Sequence, residues 1–242
     1  MKVTILAGGL GTRLSEYTKT IPKPMVKIGK YPILVHIIML YAKNGLKDFY
    51  ILMGYKSYVI KKYFKNFQEL NTPFKFTIKN LSCNVTLVES GKKSMTGGRL
   101  KKMKFFLTKN EPFMFTYGDG VSNINIKKLL KFHKQNKKLF TITAVRPPAR
   151  FGELQINKYL VTSFKEKPQT SGGWINGGFF VTNKNFLDLI KNNKTILEKE
   201  PLESAARKKQ LSSFKHEGFW KCMDTLRDKN VLDEIYKKKL NK

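Results

Sequence analysis

The 242-residue chain has only two cysteines, Cys83 and Cys222. So few cannot build a disulfide framework, and neither sits in a Cys-x-x-Cys or Cys/His spacing that would hold zinc. A reducing, cytoplasmic setting is the expectation. Long apolar runs are also missing. Residues 3–7 are stopped by Gly8 and Gly9, far short of a secretory h-region, and no later run approaches the roughly 18 residues of a membrane span. No membrane association is expected. Gly and Pro are held to 17 and 9 residues while hydrophobic residues reach 41%, which excludes disordered and collagen-like chains.

Acidic side chains are scarce, 17 against 47 basic ones, and the formal net charge is +30. Such a surface either neutralises nucleic-acid phosphates and releases counterions, or is a solvated lysine coat produced by AT-rich coding. The aromatics sit inside apolar stretches and do not alternate with lysine as a stacking platform would, so no nucleic-acid partner is expected. Arginine occurs only at positions 13, 99, 146, 150, 207 and 227, leaving lysine 41 of the 47 basic charges. A retained arginine then marks a need for the planar, bidentate fork that lysine lacks.

The length suits one large α/β domain. Short apolar runs alternate with amphipathic stretches. Residues 3–7, 49–53, 85–88, 113–117 and 140–145 read as strands, and 33–41, 58–67, 99–107 and 126–136 as helices. The uninterrupted apolar run at 49–53 is what a strand buried on both faces requires, so a doubly wound parallel sheet is implied. After Pro147-Pro148 come shorter strands at 153–156, 159–164, 174–181 and 211–215, which read as a mixed or antiparallel extension. A last helix is expected from Thr225, where Thr225-x-x-Asp228 resembles a capping box, with Leu226, Val231 and Ile235 on one apolar face.

Residues suited to phosphate chemistry recur at the carboxyl ends of these strands. The first strand, ending in Leu6-Ala7, runs into Gly8-Gly9-Leu10-Gly11-Thr12-Arg13, a loop whose glycines let the backbone approach phosphate oxygens while Arg13 adds charge-assisted hydrogen bonds. It lacks the Lys-Ser/Thr of a Walker loop and the third glycine of a dinucleotide fingerprint. The plain alternative is a tight structural turn. Pro22-Lys23-Pro24 stiffens the chain around one lysine, which is either positioned for phosphate or merely solvated.

Gly118-Asp119-Gly120 follows another strand and has the look of a metal-ligand turn with room for Mg²⁺ and its waters; a simple β-turn aspartate is the other reading. Asp224 offers a second carboxylate, or else a helix N-terminal charge. Glu166 and Lys167 close a strand and suit a sugar hydroxyl and a phosphate, or form an exposed hairpin end. Asn176-Gly177-Gly178 weakens a strand unless something approaches closely, and Arg150-Phe151-Gly152-Glu153 poses the same question. Ser94 to Arg99 opens a helix whose free N–H groups suit a base or phosphates. The three histidines have no nearby Ser/Asp pattern, so triad chemistry is not expected.

Taken together, Leu6-Ala-Gly-Gly-Leu-Gly-Thr-Arg-Leu14, Pro22-Lys-Pro-Met-Val26, Gly118-Asp-Gly120, Glu166-Lys-Pro168 and Asn176-Gly-Gly178 resemble, in order and spacing, the sugar-1-phosphate nucleotidylyltransferases. Ser94-Met-Thr-Gly-Gly-Arg-Leu100, Ile175-Asn-Gly-Gly-Phe-Phe180 and Gly218-Phe-Trp-Lys-Cys-Met-Asp-Thr-Leu-Arg-Asp228 are most similar to members that act on CTP and glucose 1-phosphate. The resemblance implies a Rossmann-like, mostly parallel sheet flanked by helices, with a smaller mixed or antiparallel sugar-binding part in the second half. Residues 1–242 would form a single domain: a nucleotide-binding half at 1–146, a sugar-binding half at 147–224, and a C-terminal helix and tail at 225–242.

It also implies in-line transfer of the cytidylyl group to glucose 1-phosphate with Mg²⁺, a dTTP- or UTP-dependent variant of the reaction being the alternative. Arg13, Lys23 and Asp119 would be catalytic. Leu6, Ala7, Gly8, Gly9, Gly11, Thr12, Arg13, Lys23, Thr96 and Arg99 would meet the nucleotide. Gly152, Glu166, Lys167, Asn176 and Gly177 would hold the sugar phosphate, and Asp119 and Asp224 the metal. A homo-oligomer is implied. Between residues 67 and 85, and beyond Arg227, the chain is shorter than the members it resembles.

Overall fold

The computed structural model describes residues 1–147, 153–165 and 173–240. The chain opens with strand β1 (Lys2–Ala7), short helix α1 (Ser15–Thr18), the two-residue strands β2 (Lys27–Ile28) and β3 (Tyr31–Pro32), helix α2 (Ile33–Lys43), strand β4 (Asp48–Met53) and helix α3 (Ser57–Tyr63). Strands β5 (Pro73–Ile78) and β6 (Leu81–Glu89) form a hairpin. Helix α4 (Thr96–Lys101), strands β7 (Pro112–Tyr117) and β8 (Gly120–Ser122), helix α5 (Ile126–Asn136) and strand β9 (Phe140–Val145) follow. A second hairpin, β10 (Glu153–Asn157) and β11 (Leu160–Lys165), precedes β12 (Ile175–Asn183), α6 (Glu200–Arg207), β13 (Leu211–His216), β14 (Trp220–Cys222) and α7 (Leu226–Leu240).

One sheet carries the fold, in the order β13-β9-β12-β7-β1-β4-β6-β5. Strand β1 is parallel to both β4 and β7, β4 to β6, and β13 to β9. Strand β12 enters antiparallel between β7 and β9, and β5 closes one edge antiparallel to β6. The second half therefore supplies two strands to the main sheet. Among the described residues, its hairpin β10–β11 stands apart as a two-stranded sheet.

Both faces of the sheet are covered, which is why its central strands are uninterrupted apolar runs. Successive side chains of a strand point to opposite faces. Val3, Ile5 and Ala7 pack on one side with Ile33, Leu34, Ile37 and Tyr41 of α2, while Leu6 joins Phe113, Phe115, Phe140 and Phe180 on the other. Phe115 and Phe180 are cross-strand partners, and their rings stack with centroids 4.3 Å apart at 15°. Such a pair adds about 0.5–1.5 kcal/mol beyond area burial.

Three sequence expectations shift. Helix α3 ends at Tyr63, not near 67, because Phe64 turns extended and buries its ring against Phe74 and Phe76 of the β5–β6 hairpin. The helix expected over 99–107 starts at Thr96 and gives way to a 3₁₀ turn over Lys102–Phe105. At α7 the cap is reciprocal: Thr225 N–H donates to Asp228 Oδ2 at 3.0 Å, and Asp228 N–H to Thr225 Oγ1 at 3.2 Å. The buried stripe, however, centres on fully buried Leu232, and Leu226 in the first turn is 39% exposed. Among the described residues, no helix is long and apolar enough to cross a membrane.

Candidate active site

The parallel strands β1 and β7 lie side by side, with Leu6 paired to Tyr117. Their carboxyl ends therefore deliver the Gly8–Gly11 loop and the Gly118-Asp119 turn to the same edge of the sheet, where ligands bind in open α/β folds. Because β12 runs the other way, it is its amino end, Asn176-Gly177, that reaches this edge. A cleft of about 690 Å³ opens there. A short pairing then brings the distant carboxylates together. Strand β14 pairs with β8, placing Cys222 opposite Gly120, and Met223 N–H donates to Asp119 O at 2.9 Å. Asp119, one residue before this ladder, and Asp224, two residues after it, are consequently brought together.

Lys23 sits in a 3₁₀ turn entered from extended Pro22, with Pro24 at the next position. Its stem is buried, and its ammonium reaches Asp119 Oδ2 at 2.7 Å and Asp224 Oδ1 at 2.6 Å. Burial alone would lower the Lys23 pKa, but Asp119, by charge and hydrogen bond, and Asp224 together outweigh it and raise the pKa above the usual lysine value. Arg13, largely exposed, donates to Asp224 Oδ2 at 2.9 Å. The donor atoms of Asp119, Asp224 and Cys222 all lie within 4.8 Å of one another. Two half-buried carboxylates converging on a point where a cation already sits are a fitting donor set for a hard divalent ion that completes its shell with substrate phosphates. Burial, with Asp119 next in weight, pushes the Cys222 thiol upward.

The glycine loop is shaped by what lies beneath it. Gly11 has φ 67°, and a Cβ there would lie 2.9 Å from Thr18 Cγ2 and 3.1 Å from Lys23 Cβ. Gly8 rests on the guanidinium of Arg99, where a Cβ would come within 2.0 Å of Nη1. Arg99 is 4% exposed and donates through Nη1 to Ser90 Oγ and to Gly91 O, both at 2.8 Å. Burial lowers its pKa. Its fork thus braces the glycine loop against the loop that follows β6.

Of the residues expected from sequence, Leu6, Gly8, Gly9, Gly11, Thr12, Arg13, Lys23, Thr96, Arg99, Asp119, Asn176, Gly177 and Asp224 all line this one cleft. Ala7 is fully buried beneath the loop. Gly152, Glu166 and Lys167 fall outside the described residues, as does Arg150. The cleft also holds groups that the sequence reading did not assign: Lys92 and Lys93 on one wall, Tyr117 on the floor, and Trp220, whose Nε1 donates to Gly177 O at 2.7 Å. The rarity of tryptophan, two in the chain, was an available signal for Trp220. Nothing in the lysine-rich stretch around 92–93 distinguished it from the surface.

A mostly parallel α/β sheet that gathers a glycine loop, a buried lysine and two carboxylates at its strand ends defines an enzyme fold built for nucleotide phosphates. Comparison with known proteins narrows the class. The nucleotidyl transferase family model matches residues 2–225. The chain is 50% identical over 248 residues to glucose-1-phosphate cytidylyltransferase of Salmonella typhimurium, covering 98% of this chain and 96% of that protein. It is 33% identical over 239 residues to mannose-1-phosphate guanyltransferase of Saccharomyces cerevisiae, covering 96% of this chain and 63% of the yeast protein. The solved structure of HddC from Yersinia pseudotuberculosis complexed with GMP-PN shares the fold, with a TM-score of 0.73 at 24% identity over 97% of this chain and 99% of that one. The chain belongs to the nucleotidyl transferase family.

Proposed function

We propose that this protein transfers the cytidylyl group of CTP to α-D-glucose 1-phosphate, giving CDP-glucose and pyrophosphate. The observation that carries this reading is the 50% identity to the Salmonella cytidylyltransferase across nearly the whole of both chains. The cleft supports it with the chemistry the reaction needs. A phosphate oxygen of glucose 1-phosphate attacks the α-phosphorus of CTP in line; the new O–P bond forms as the bond to the β-phosphate oxygen breaks, and pyrophosphate leaves. No side chain needs to form a covalent bond, so the protein contributes position and charge.

In this reading, backbone N–H groups of the Gly8–Gly11 loop and the Arg13 guanidinium hold the triphosphate. Lys23 neutralises charge on the transferring and leaving phosphates, and Thr96 serves the nucleotide side. Asp119 and Asp224 would hold Mg²⁺, which when bound neutralises phosphate charge and aligns the two substrates. Asn176 and Gly177 bind the sugar phosphate, and we assign Gly152, Glu166 and Lys167 to the same task on the resemblance of their segments. The surplus of lysine draws the anionic substrates towards the cleft. A homo-oligomer belongs to the same reading; Leu154, Ile156, Val161 and Phe164 on the β10–β11 hairpin are 51–64% exposed and offer an apolar surface for it.

The test is direct. The purified protein, incubated with CTP, glucose 1-phosphate and Mg²⁺, should yield CDP-glucose and an equal amount of pyrophosphate. Absence of any nucleotide sugar from CTP, dTTP or UTP would reject the assignment.

A further inference from the structure

Glu198 lies just ahead of α6, away from every motif that marks the cleft, yet its carboxylate links the two sides of the site. Thr96 Oγ1, at the start of α4, donates to Glu198 Oε2 at 2.6 Å, and the Tyr117 hydroxyl donates to Glu198 Oε1. The same Thr96 oxygen accepts the Leu197 N–H at 3.0 Å. Beyond Tyr117 the chain of contacts continues, since Asn176 Nδ2 donates to the tyrosine hydroxyl at 3.3 Å and Asn176 Oδ1 accepts the Gly178 N–H at 2.8 Å. Four side chains from four separate segments are thereby joined, from the nucleotide wall to the sugar wall.

Proton accounting gives this chain a direction. An ionised carboxylate only accepts hydrogen bonds, so both hydroxyls must donate to Glu198. The Tyr117 oxygen is then left to accept, which it can do only from the NH₂ end of Asn176. The carbonyl end of that amide is turned to the Gly178 N–H, and the flip is fixed from both ends. One Nδ2 hydrogen of Asn176 is left for a ligand.

We propose that Glu198 is a positioning residue for the acceptor substrate: by holding the hydroxyls of Tyr117 and Thr96 it locks the Asn176 amide in the orientation that presents an N–H donor to the sugar phosphate. Without Glu198 the Tyr117 proton is free to turn towards Asn176, the Nδ2 hydrogen bond to the phenol oxygen is lost, and the amide, held only by the Gly178 N–H, presents its N–H donor to the sugar phosphate less firmly. The inference rests on the cytidylyl-transfer reading for the identity of the sugar phosphate. Glu198 itself is exposed, so its removal should disturb the fold little.

The experiment measures KM for glucose 1-phosphate and for CTP, kcat and Tm in the wild type, E198A, E198Q, Y117F and the E198A/Y117F double variant. It is paired with calorimetric titration of glucose 1-phosphate into each protein in the presence of CMP. The expected result for E198A is a rise of about tenfold in KM and Kd for glucose 1-phosphate. KM for CTP and kcat should stay within about threefold, and Tm within about 2 °C, as befits a surface change. E198Q, which keeps one acceptor oxygen, should fall between. The double variant should be no worse than the worse single one, because both act through the same amide. Unchanged glucose 1-phosphate affinity in E198A, multiplying effects in the double variant, or equal losses in both KM values would overturn the proposal. The titration decides it independently of turnover, so a wild type that binds glucose 1-phosphate but makes no CDP-glucose would defeat the functional reading and leave Glu198 still judged.

Discussion

Replacing Gly8 by alanine adds one methyl group where β1 passes into the glycine loop, and the structure says where that methyl must go. Its carbon would lie 2.0 Å from Arg99 Nη1 and 2.5 Å from Cζ. Gly54, beside Gly8 at the end of neighbouring β4, lies as close to the guanidinium, and a Cβ there would lie 2.2 Å from the same nitrogen. Either the loop lifts or Arg99 leaves its partners, Ser90 Oγ and Gly91 O, both 2.8 Å from Nη1. Two hydrogen bonds from a charged donor, at about 1.5 kcal/mol each, put the loss near 3 kcal/mol. For a domain of this size that is a fall in Tm of roughly 6–12 °C. The same methyl in an R99A background enters space the arginine has vacated, and should cost less than about 0.5 kcal/mol. Thermal unfolding of wild type, G8A, R99A and the double variant forms a cycle that isolates the clash. Equal losses from G8A in both backgrounds would show that Arg99 is not what holds the glycine loop down.

Other expectations concern the carboxylates and their partners. K23M should fold, as its circular dichroism would show, yet lose about 10²–10³-fold in kcat, the usual effect of removing one charge-stabilising donor from a transition state; near wild-type turnover would refute the role. D119N and D224N should each weaken Mn²⁺ binding in calorimetric titration as well as activity, and chelation of divalent ions should abolish product formation; unaltered Mn²⁺ affinity would remove the pair as the metal site. Acid stability should reside partly in α7. Burial pushes the Asp228 and Asp233 carboxyls up, but hydrogen bonds from Lys221 and Thr225 to the first, and from Lys229 and the Gly29 N–H to the second, hold both below the ordinary value. A depressed folded-state pKa adds stability that is complete above the unfolded value of about 3.9 and is lost as pH falls through the folded one. The D228N/D233N variant should therefore show a flatter decline of Tm between pH 5 and 3 than the wild type, and parallel curves would contradict this.

What could be read from the sequence, and what could not, follows the range of the interactions. The strands that carry Gly8 and Asp119 announce themselves by continuous apolar runs, since both faces of the sheet are covered, and glycines at their ends mark the loops. Lys23 is legible because two prolines leave its backbone few choices. The meeting of Asp119 with Asp224 is not, for it depends on pairing two three-residue strands, β8 and β14, that are too short to show any period. Insertion of β12 between β7 and β9 is likewise invisible locally. Arg99 could be flagged as special by the scarcity of arginine, but its engagement with Ser90 and Gly91 beneath Gly8 is a packing fact. Glu198 sits in a polar stretch with alternating charges, and only the third dimension brings it to Thr96 and Tyr117.

The net charge of +30 acquires a narrower meaning beside this site, where Arg13 and Lys23 reach the carboxylates and Lys92 and Lys93 line the wall. The most direct test of the account is the specificity of the donor nucleotide, read as kcat/KM for CTP, dTTP, UTP and GTP with glucose 1-phosphate and Mg²⁺. Cytidylyl transfer predicts that CTP is preferred over every other triphosphate, with CDP-glucose and pyrophosphate formed one to one and both lost in D119N. Efficient transfer from dTTP, UTP or GTP with little or none from CTP would contradict it.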